Sequence, residues 1–230
     1  MRFLLLSVCL LFTFRAMGQK VSNVDFDEIK RETTNPGSPY YFPKQLTRLQ
    51  ASDSTLQAKD YHYLYYGQIF QPSYNPEAAA EASEAFTKAF AAKQYREALA
   101  LGAKDLRAHP FNLRLTTEMI VCASQASGRR LAQRYANRYF GLLRALRSSG
   151  DGHSPATAFV VPTVDDEYTL MGYYNLDFSE QSRTGTTDVF TLKPMAEASA
   201  GDAQQHFNGN RIYFNVSQPL NYLGGLIKDK

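Results

Sequence analysis

The chain has few of the residues and motifs that would define a familiar chemistry. It contains no tryptophan and only two cysteines among its 230 residues. It lacks a phosphate-binding glycine loop, a Gly-x-Ser-x-Gly turn, a His-Glu-x-x-His motif and a Cys-x-x-Cys pair, so the enzyme classes that these motifs mark gain no support. We therefore predict no catalytic residue, no cofactor-binding residue, no metal ligand and no cofactor. The four histidines are scattered along the sequence: His62, His109, His153 and His206.

The N-terminus has the layout of a secretory signal peptide. Arg2 precedes an apolar run over residues 3–14, and two small residues follow the run before Gln19. This order of charge, apolar core and small residues is typical of segments that are cleaved on export. The run is shorter than the roughly 20 residues that a membrane-spanning helix needs. We expect residues 1–18 to be removed near Gly18-Gln19 and the remaining chain to work in the periplasm or outside the cell.

Removal of this segment changes both the charge and the cysteine count. Without Arg2 and Arg15 the chain keeps 23 basic and 22 acidic residues. A nearly neutral protein is weakly attracted to a phosphate backbone, so we expect no nucleic-acid partner. Cys122 becomes the only cysteine, which excludes an intramolecular disulfide, and its apolar neighbours favour a position in the core. No second apolar stretch approaches membrane length, so no membrane span is expected after cleavage.

The rest of the chain divides into three regions by composition, and together they predict an α+β fold. The N-terminal region, 19–76, is rich in aromatics and interrupted by prolines, and its pattern predicts short helices. Pro43 suits the first turn of one helix, and residues 53–55 resemble the N-cap of the next. The helical region, 77–148, has apolar residues three and four positions apart, which predicts four helices.

The C-terminal region, 149–230, predicts a small antiparallel sheet. Its residues alternate between apolar and polar, and turn-forming residues separate the alternating segments. Residues 163–167 contain Asp165-Asp166 and are predicted to form the turn of a hairpin. The polar segment 196–207 is predicted to be a loop or a short helix. The strands are expected at residues 158–161, 168–171, 188–192 and 211–216.

A repeat is visible in the helical region. Ala98 and Ala132 are 34 residues apart, which is the period of tetratricopeptide repeats. Tyr95, Ala98 and Pro110 have the spacing of the aromatic, small and helix-ending positions of such a repeat. The usual Trp-x-x-Leu-Gly start is missing, so an ordinary antiparallel helical bundle is the alternative. About two units fit, which is too few to bury a core, and neighbouring segments are expected to cap them.

Short motifs in both halves of the chain resemble those of a known family. This is the domain-of-unknown-function 4919 family of uncharacterised, exported Bacteroidetes proteins. The resemblance spans nearly all of the chain after the signal segment and implies a periplasmic or secreted location in a Gram-negative cell. It brings no activity, substrate or site residue with it. The motifs are at residues 39–44, 63–67, 70–76, 149–152, 158–161, 167–168 and 213–216.

Two polar segments of the C-terminal region form the best candidate for an enzyme site. A hydrolase would need a hydroxyl, a base and an orienting acid within hydrogen-bonding reach. A hard cation would need about six oxygen ligands. A hydrolase or metal-dependent enzyme is therefore one hypothesis, and a solvated, turn-forming loop is the alternative explanation of the same residues. The segments are the loop 150–154, with Asp151, His153 and Ser154, and the turn 165–167, with Asp165, Asp166 and Glu167.

The hypothesis that we favour from the sequence is a non-enzymatic binding or interaction module. Paired helices of the tetratricopeptide type serve as scaffolds for a protein or peptide partner. This hypothesis requires that the N-terminal region or the sheet does not fill the groove of the helices. The tyrosines of the N-terminal region could line a groove or pack in the core. Recognition of a glycan rests on tyrosine content and location alone. The tyrosines are Tyr61, Tyr63, Tyr65 and Tyr66.

Overall fold

The computed structural model describes residues 24–77, 82–194 and 207–228, with side chains described as far as residue 225. The expected signal segment, 1–18, lies outside the described residues, as do residues 196–206 of the segment predicted as a loop or short helix. The helices of the described ranges are α1 (Phe26–Thr34), α2 (Phe42–Gln50), α3 (Ala58–Gly67), α4 (Glu84–Ala91), α5 (Tyr95–Ala108), α6 (Leu113–Ala126), α7 (Arg129–Ser148), α8 (Asp165–Tyr173) and α9 (Ser217–Lys228).

The strands within the described ranges form one mixed sheet of four, in the order β1-β4-β3-β2. β4 pairs antiparallel with β3, as the sequence predicts, and β3 also pairs antiparallel with β2, a strand that the sequence analysis does not predict. β1 runs parallel to β4, with Phe159 opposite Phe214. The helices together with this sheet confirm the α+β class, although the sheet is mixed rather than purely antiparallel. The strands are β1 (Phe159–Val160), β2 (Phe178–Thr184), β3 (Thr187–Leu192) and β4 (Arg211–Asn215).

The predicted hairpin with its turn at residues 163–167 is wrong. Residues 165–173 form α8, whose first turn carries three acidic side chains. Acidic side chains are common at the N-terminus of a helix, because the backbone N–H groups there are unpaired and this is the positive end of the helix dipole. Leu170 and Met171, predicted to lie in a strand, are instead buried residues of this helix. The structure instead has a strand at β2, which pairs with β3 at the edge of the sheet, and its mostly exposed, polar side chains give no apolar alternation to detect.

The sequence predicts the start of α2 correctly but not the start of α3. Pro43 lies in the first turn of α2, where the missing N–H of proline has no cost. The predicted cap of α3 at residues 53–55 is wrong, because Gln57 is the N-cap residue. The backbone N–H of Gln57 donates to Oδ2 of Asp60 at 2.8 Å. Asp53 instead accepts from the backbone N–H and the hydroxyl of Thr55, so it stabilises the loop before the helix.

The helical region contains the four predicted helices, α4 to α7, and each packs against the next. Ala98 of α5 is fully buried, and a Cβ at Gly102 would overlap Met119 of α6 and Phe86 of α4. Small residues on α5 therefore let its neighbours approach closely, which is the physical role that the repeat spacing assigns to them. Cys122 belongs to the same small core and is fully buried, as predicted.

The N-terminal region covers α7, so that face of the helical region is not an open groove. α3 lies along α7, and a Cβ at Gly141 of α7 would overlap the ring of Tyr61. The four tyrosines of α3 are all buried and belong to the main core. They pack the N-terminal region against α7 and the sheet. This arrangement removes the groove on which the sequence-based scaffold hypothesis depended.

Candidate binding cavity

A cavity of about 300 Å³ lies where the three regions meet. α2 and the segment after α3 form one wall, the connection between α5 and α6 forms the second, and the start of α8 forms the third. Aromatic and aliphatic side chains lie beside carboxamides, hydroxyls and charged groups. The lining residues are Phe42, Leu46, Gln68, Gln71, Ser73, Tyr74, Asn75, Arg107, Ala108, His109, Pro110, Phe111, Asn112, Thr163, Asp165 and Asp166.

Hydrogen bonds hold the first wall in place. The Tyr74 hydroxyl donates to the carbonyl oxygen of Pro162 at 2.6 Å, which attaches the segment after α3 to the C-terminal region. Nε2 of Gln68 donates to the carbonyl oxygen of Tyr65 at 2.6 Å, and Nε2 of Gln71 donates to that of Gly67 at 3.2 Å. Both glutamines are thus held through nitrogen, and each also carries an oxygen that can accept a hydrogen bond.

The second wall is fixed from both of its ends. Asn112 is the N-cap of α6, and its Oδ1 accepts from the backbone N–H of Leu115 at 2.8 Å. Arg138 of α7 donates through Nη2 to the carbonyl oxygens of Pro110 and Leu106. The connection between α5 and α6 is therefore tied to α7 by hydrogen bonds within the protein.

Asp166 gives the third wall an ionisable group that changes state near neutral pH. Its side chain is 4 % exposed, and its Oδ2 accepts from the Thr163 hydroxyl at 2.9 Å. Burial raises the pKa of Asp166 to about 7, and the hydroxyls of Tyr65 and Thr163 oppose only part of that rise. Burial also raises the pKa of the neighbouring Asp165, which Arg114 opposes from 3.7 Å. Asp166 can thus donate a hydrogen bond when protonated and accept when ionised.

Glu167 follows Asp166 in sequence but belongs to a different environment. It is fully buried, and neither of its carboxyl oxygens has a hydrogen-bond partner. Asp188 of β3 lies nearby and is bound by the guanidinium of Arg183. Burial, followed by the charge of Asp188, raises the pKa of Glu167 to about 9. Glu167 does not line the cavity.

The structure does not bring the two predicted enzyme segments into this cavity together. Asp165 and Asp166 line it, whereas no residue of the loop 150–154 does. His153 is exposed and stacks on Phe207, with 4.5 Å between the ring centroids. The Ser154 hydroxyl is 2.9 Å from that of Thr157. In the part of the chain that the structure describes, no group of three or more histidine, cysteine or acidic side chains could hold a metal ion.

Most of the cavity residues carry no sequence signal of their own. His109, one of the scattered histidines, is the C-cap residue of α5 and also lines the cavity. Gln71, Ser73 and Tyr74 belong to the turn-rich motif 70–76, which pointed to a family rather than to a site. In the sequence, Asn112 indicates only the start of α6, for which it is the N-cap residue.

Together these features define an α+β protein in which a helical array and a small mixed sheet enclose a cavity with the N-terminal region. The family described as a domain of unknown function, DUF4919, matches residues 27–223. The chain therefore belongs to that family, as its motifs indicated. Comparison with curated proteins and with solved structures finds no match. No helix within the described ranges combines the length and the apolar character that crossing a membrane requires.

Proposed function

We propose that the protein is an exported, non-enzymatic binding module, and that its site is the cavity between the three regions. The partner that fits best is a protein or peptide segment with an apolar side chain. The observation that carries the proposal is the composition of one preformed cavity. It places Phe42, Leu46 and Phe111 beside carboxamide side chains.

This combination suits an extended peptide. The apolar side chain of a partner would be removed from water against Phe42, Leu46 and Phe111, which stabilises a complex in proportion to the area buried. The backbone of a peptide presents alternating donors and acceptors, and carboxamides such as Gln68 and Gln71 can satisfy both. Binding pockets commonly combine a mainly apolar lining with a few polar groups that fix orientation.

The ionisable groups of the cavity add a preference for the ends or side chains of the partner. Arg107 and His109 lie on the wall formed by the α5–α6 connection, while Asp165 and Asp166 lie on the wall formed by α8. A partner with a cationic group near α8 would favour the ionised form of Asp166. Its affinity should therefore rise with pH through the pKa of Asp166, near 7.

A peptide display library tests this proposal. Selection on the protein should enrich an apolar motif, and the affinity of the enriched peptide can be measured by calorimetry. Ser73 is an exposed residue of the cavity lining, so Ser73→Trp should obstruct the cavity without disturbing the core and weaken binding at least tenfold. Ser124→Trp, at an exposed position on α6, is the matched control and should bind normally.

Two outcomes would contradict the proposed site or its ligand class. Equal affinity of the two tryptophan variants would place the binding site elsewhere. The ligand class would be a glycan and not a peptide if the library enriched no peptide and a glycan array gave a ligand. Binding of that glycan would have to be lost in Ser73→Trp.

The export part of the proposal needs a separate test. The full chain should be produced in a Gram-negative host, and the periplasmic protein should be sequenced from its N-terminus. We expect a start near Gln19. The double variant Leu5→Arg/Leu6→Arg should stay in the cytoplasm, because it interrupts the apolar run that the export machinery recognises. Unprocessed wild-type protein confined to the cytoplasm would refute the signal peptide.

A further inference from the structure

A second concave surface, distinct from the cavity already described, lies between α7 and the connection from α2 to α3. It encloses about 210 Å³ and is lined on the α7 side by Arg134, Arg138 and Arg144. Ser52 and Ser54 line the opposite side. A smaller cavity of about 200 Å³ also has Ser52, Arg134 and Arg138 in its lining. Three arginines and two serines thus line one concave surface.

The concentration of positive charge here contrasts with the nearly neutral chain. α7 carries six arginines and no acidic residue over its 20 positions. Arg134 and Arg138 are four positions apart and therefore lie one turn apart on the same face of this helix, and Arg144, six positions further along, lines the same surface. The acid in the lining is Asp53, which already accepts from Nε of Arg48 at 2.7 Å and from Thr55. The charge of Asp53 is therefore largely compensated by Arg48.

Arg138 shows that this cluster has unused binding capacity. Its Nη2 is occupied by the carbonyl oxygens of the α5–α6 connection, but its Nε is buried and has no hydrogen-bond partner. Buried polar groups in folded proteins are normally paired. Arg134 and Arg144 are exposed, and both stand at the rim of the surface. An anion held between them would also lower the electrostatic cost of keeping the Arg138 guanidinium buried and charged.

We propose that this surface is a binding site for a phosphoryl group, with Arg134, Arg138 and Arg144 as its cationic residues. Guanidinium groups form paired, charge-assisted hydrogen bonds with phosphate oxygens, and several of them suit a dianion better than a single carboxylate. The hydroxyls of Ser52 and Ser54 supply further donors on the opposite side. The ligand could carry its phosphoryl group as a free phosphate ester or as a lipid headgroup, since the chemistry of recognition is the same.

Inorganic phosphate is the probe for the first test. Thermal unfolding of the protein should shift upward in sodium phosphate relative to sodium chloride at equal ionic strength, and calorimetry should report saturable binding. The double variant Arg134→Gln/Arg144→Gln should lower the affinity at least tenfold. Arg129→Gln/Arg130→Gln is the matched control. It removes the same charge from exposed positions of the same helix that line neither cavity, so it should bind like the wild type.

Two further arms distinguish the source of the phosphoryl group. Co-sedimentation with vesicles containing phosphatidic acid, lost in Arg134→Gln/Arg144→Gln, would identify a headgroup. Binding of glycerol phosphate without sedimentation would identify a free ester. The proposal is overturned if the wild type responds equally to phosphate and chloride and ignores both other probes. It is also overturned if the two double variants lose binding to the same extent, or if acetate competes as well as phosphate.

Discussion

The clearest quantitative prediction concerns Glu167, a carboxyl group buried without a hydrogen bond. Its side chain is fully buried next to Asp188, and both of its oxygens are unpaired. Burying a carboxylate without a partner is costly, so the folded protein holds this group in its protonated form. The pKa of Glu167 is accordingly raised from 4.5 to about 9.

The magnitude follows from the linkage between proton binding and folding. Between the unfolded pKa of 4.5 and the folded pKa of about 9, the native state binds a proton that the unfolded chain releases. Stability therefore falls as pH rises through this window. Each pH unit in this window lowers the free energy of unfolding by about 1.4 kcal/mol. The destabilisation due to Glu167 is therefore absent below pH 4.5 and reaches about 3 kcal/mol at pH 7. The free energy of unfolding stops falling on this account only above the pKa of Glu167 in the folded protein.

Glu167→Gln replaces the carboxyl with a neutral group of the same shape, so this cost should disappear. We expect the variant and the wild type to have similar stability at pH 4.5, and the variant to be more stable by up to about 3 kcal/mol at pH 7. Urea unfolding followed by circular dichroism at several pH values between 4.5 and 8 measures this difference. Glu180→Gln, at an exposed position on β2, controls for the loss of one carboxylate.

Parallel pH profiles for Glu167→Gln and the wild type would refute the reasoning. Such a result would mean that the carboxyl is ionised in the folded protein and therefore has a cationic or hydrogen-bonded partner. If the stability of the variant relative to the wild type fell as pH rises, the pKa of Glu167 would be lowered by folding and not raised.

Three further predictions test the packing and the cavity wall by urea unfolding. Gly141→Ala should lower the free energy of unfolding by about 1–3 kcal/mol because its Cβ overlaps Tyr61; Gly172→Ala, a helical control with open space, should raise it by about 0.5–1 kcal/mol. Asp166→Asn should gain stability relative to the wild type between pH 3.8 and about 7 and then level off, because its folded pKa is raised across that window; a constant difference would contradict this. Tyr74→Phe should lose about 1 kcal/mol with its bond to Pro162, and unchanged stability would show that this bond does not hold the wall.

The helices of the N-terminal and helical regions could be predicted from the sequence because their signals are local. Spacing of three and four residues marks α4 to α7, and Pro43 marks the start of α2. β3 and β4 alternate between buried and half-buried or exposed positions, so they too were found. The failures have equally specific causes. β2 has no buried face, and α8 has an apolar pair, Leu170-Met171, that resembles a strand when its acidic first turn is taken for a loop.

The cavity could not be predicted, because no segment of the sequence contains it. Tyr74, Asn112 and Asp166 lie on three different walls, and only the tertiary structure brings them together. The loop 150–154 is a candidate site in the sequence because its histidine, serine and aspartate are close together along the chain. In the structure that loop is tied to its own neighbours, Thr157 and Phe207, and contributes nothing to the cavity.

The shared core explains why a ligand in the cavity would stabilise the whole protein rather than one region. Tyr66 of α3 donates to the carbonyl oxygen of Val160 in β1, and Leu113 of α6 belongs to the same core as Phe214 of β4. Because the elements that form the cavity walls also contribute to this core, no single wall can unfold without disrupting the core. Any ligand that binds the native cavity should then raise the free energy of unfolding by about 2.7 kcal/mol at a concentration 100 times its Kd. Thermal unfolding is therefore a sound first assay for partners of unknown identity, provided that Ser73→Trp removes the shift.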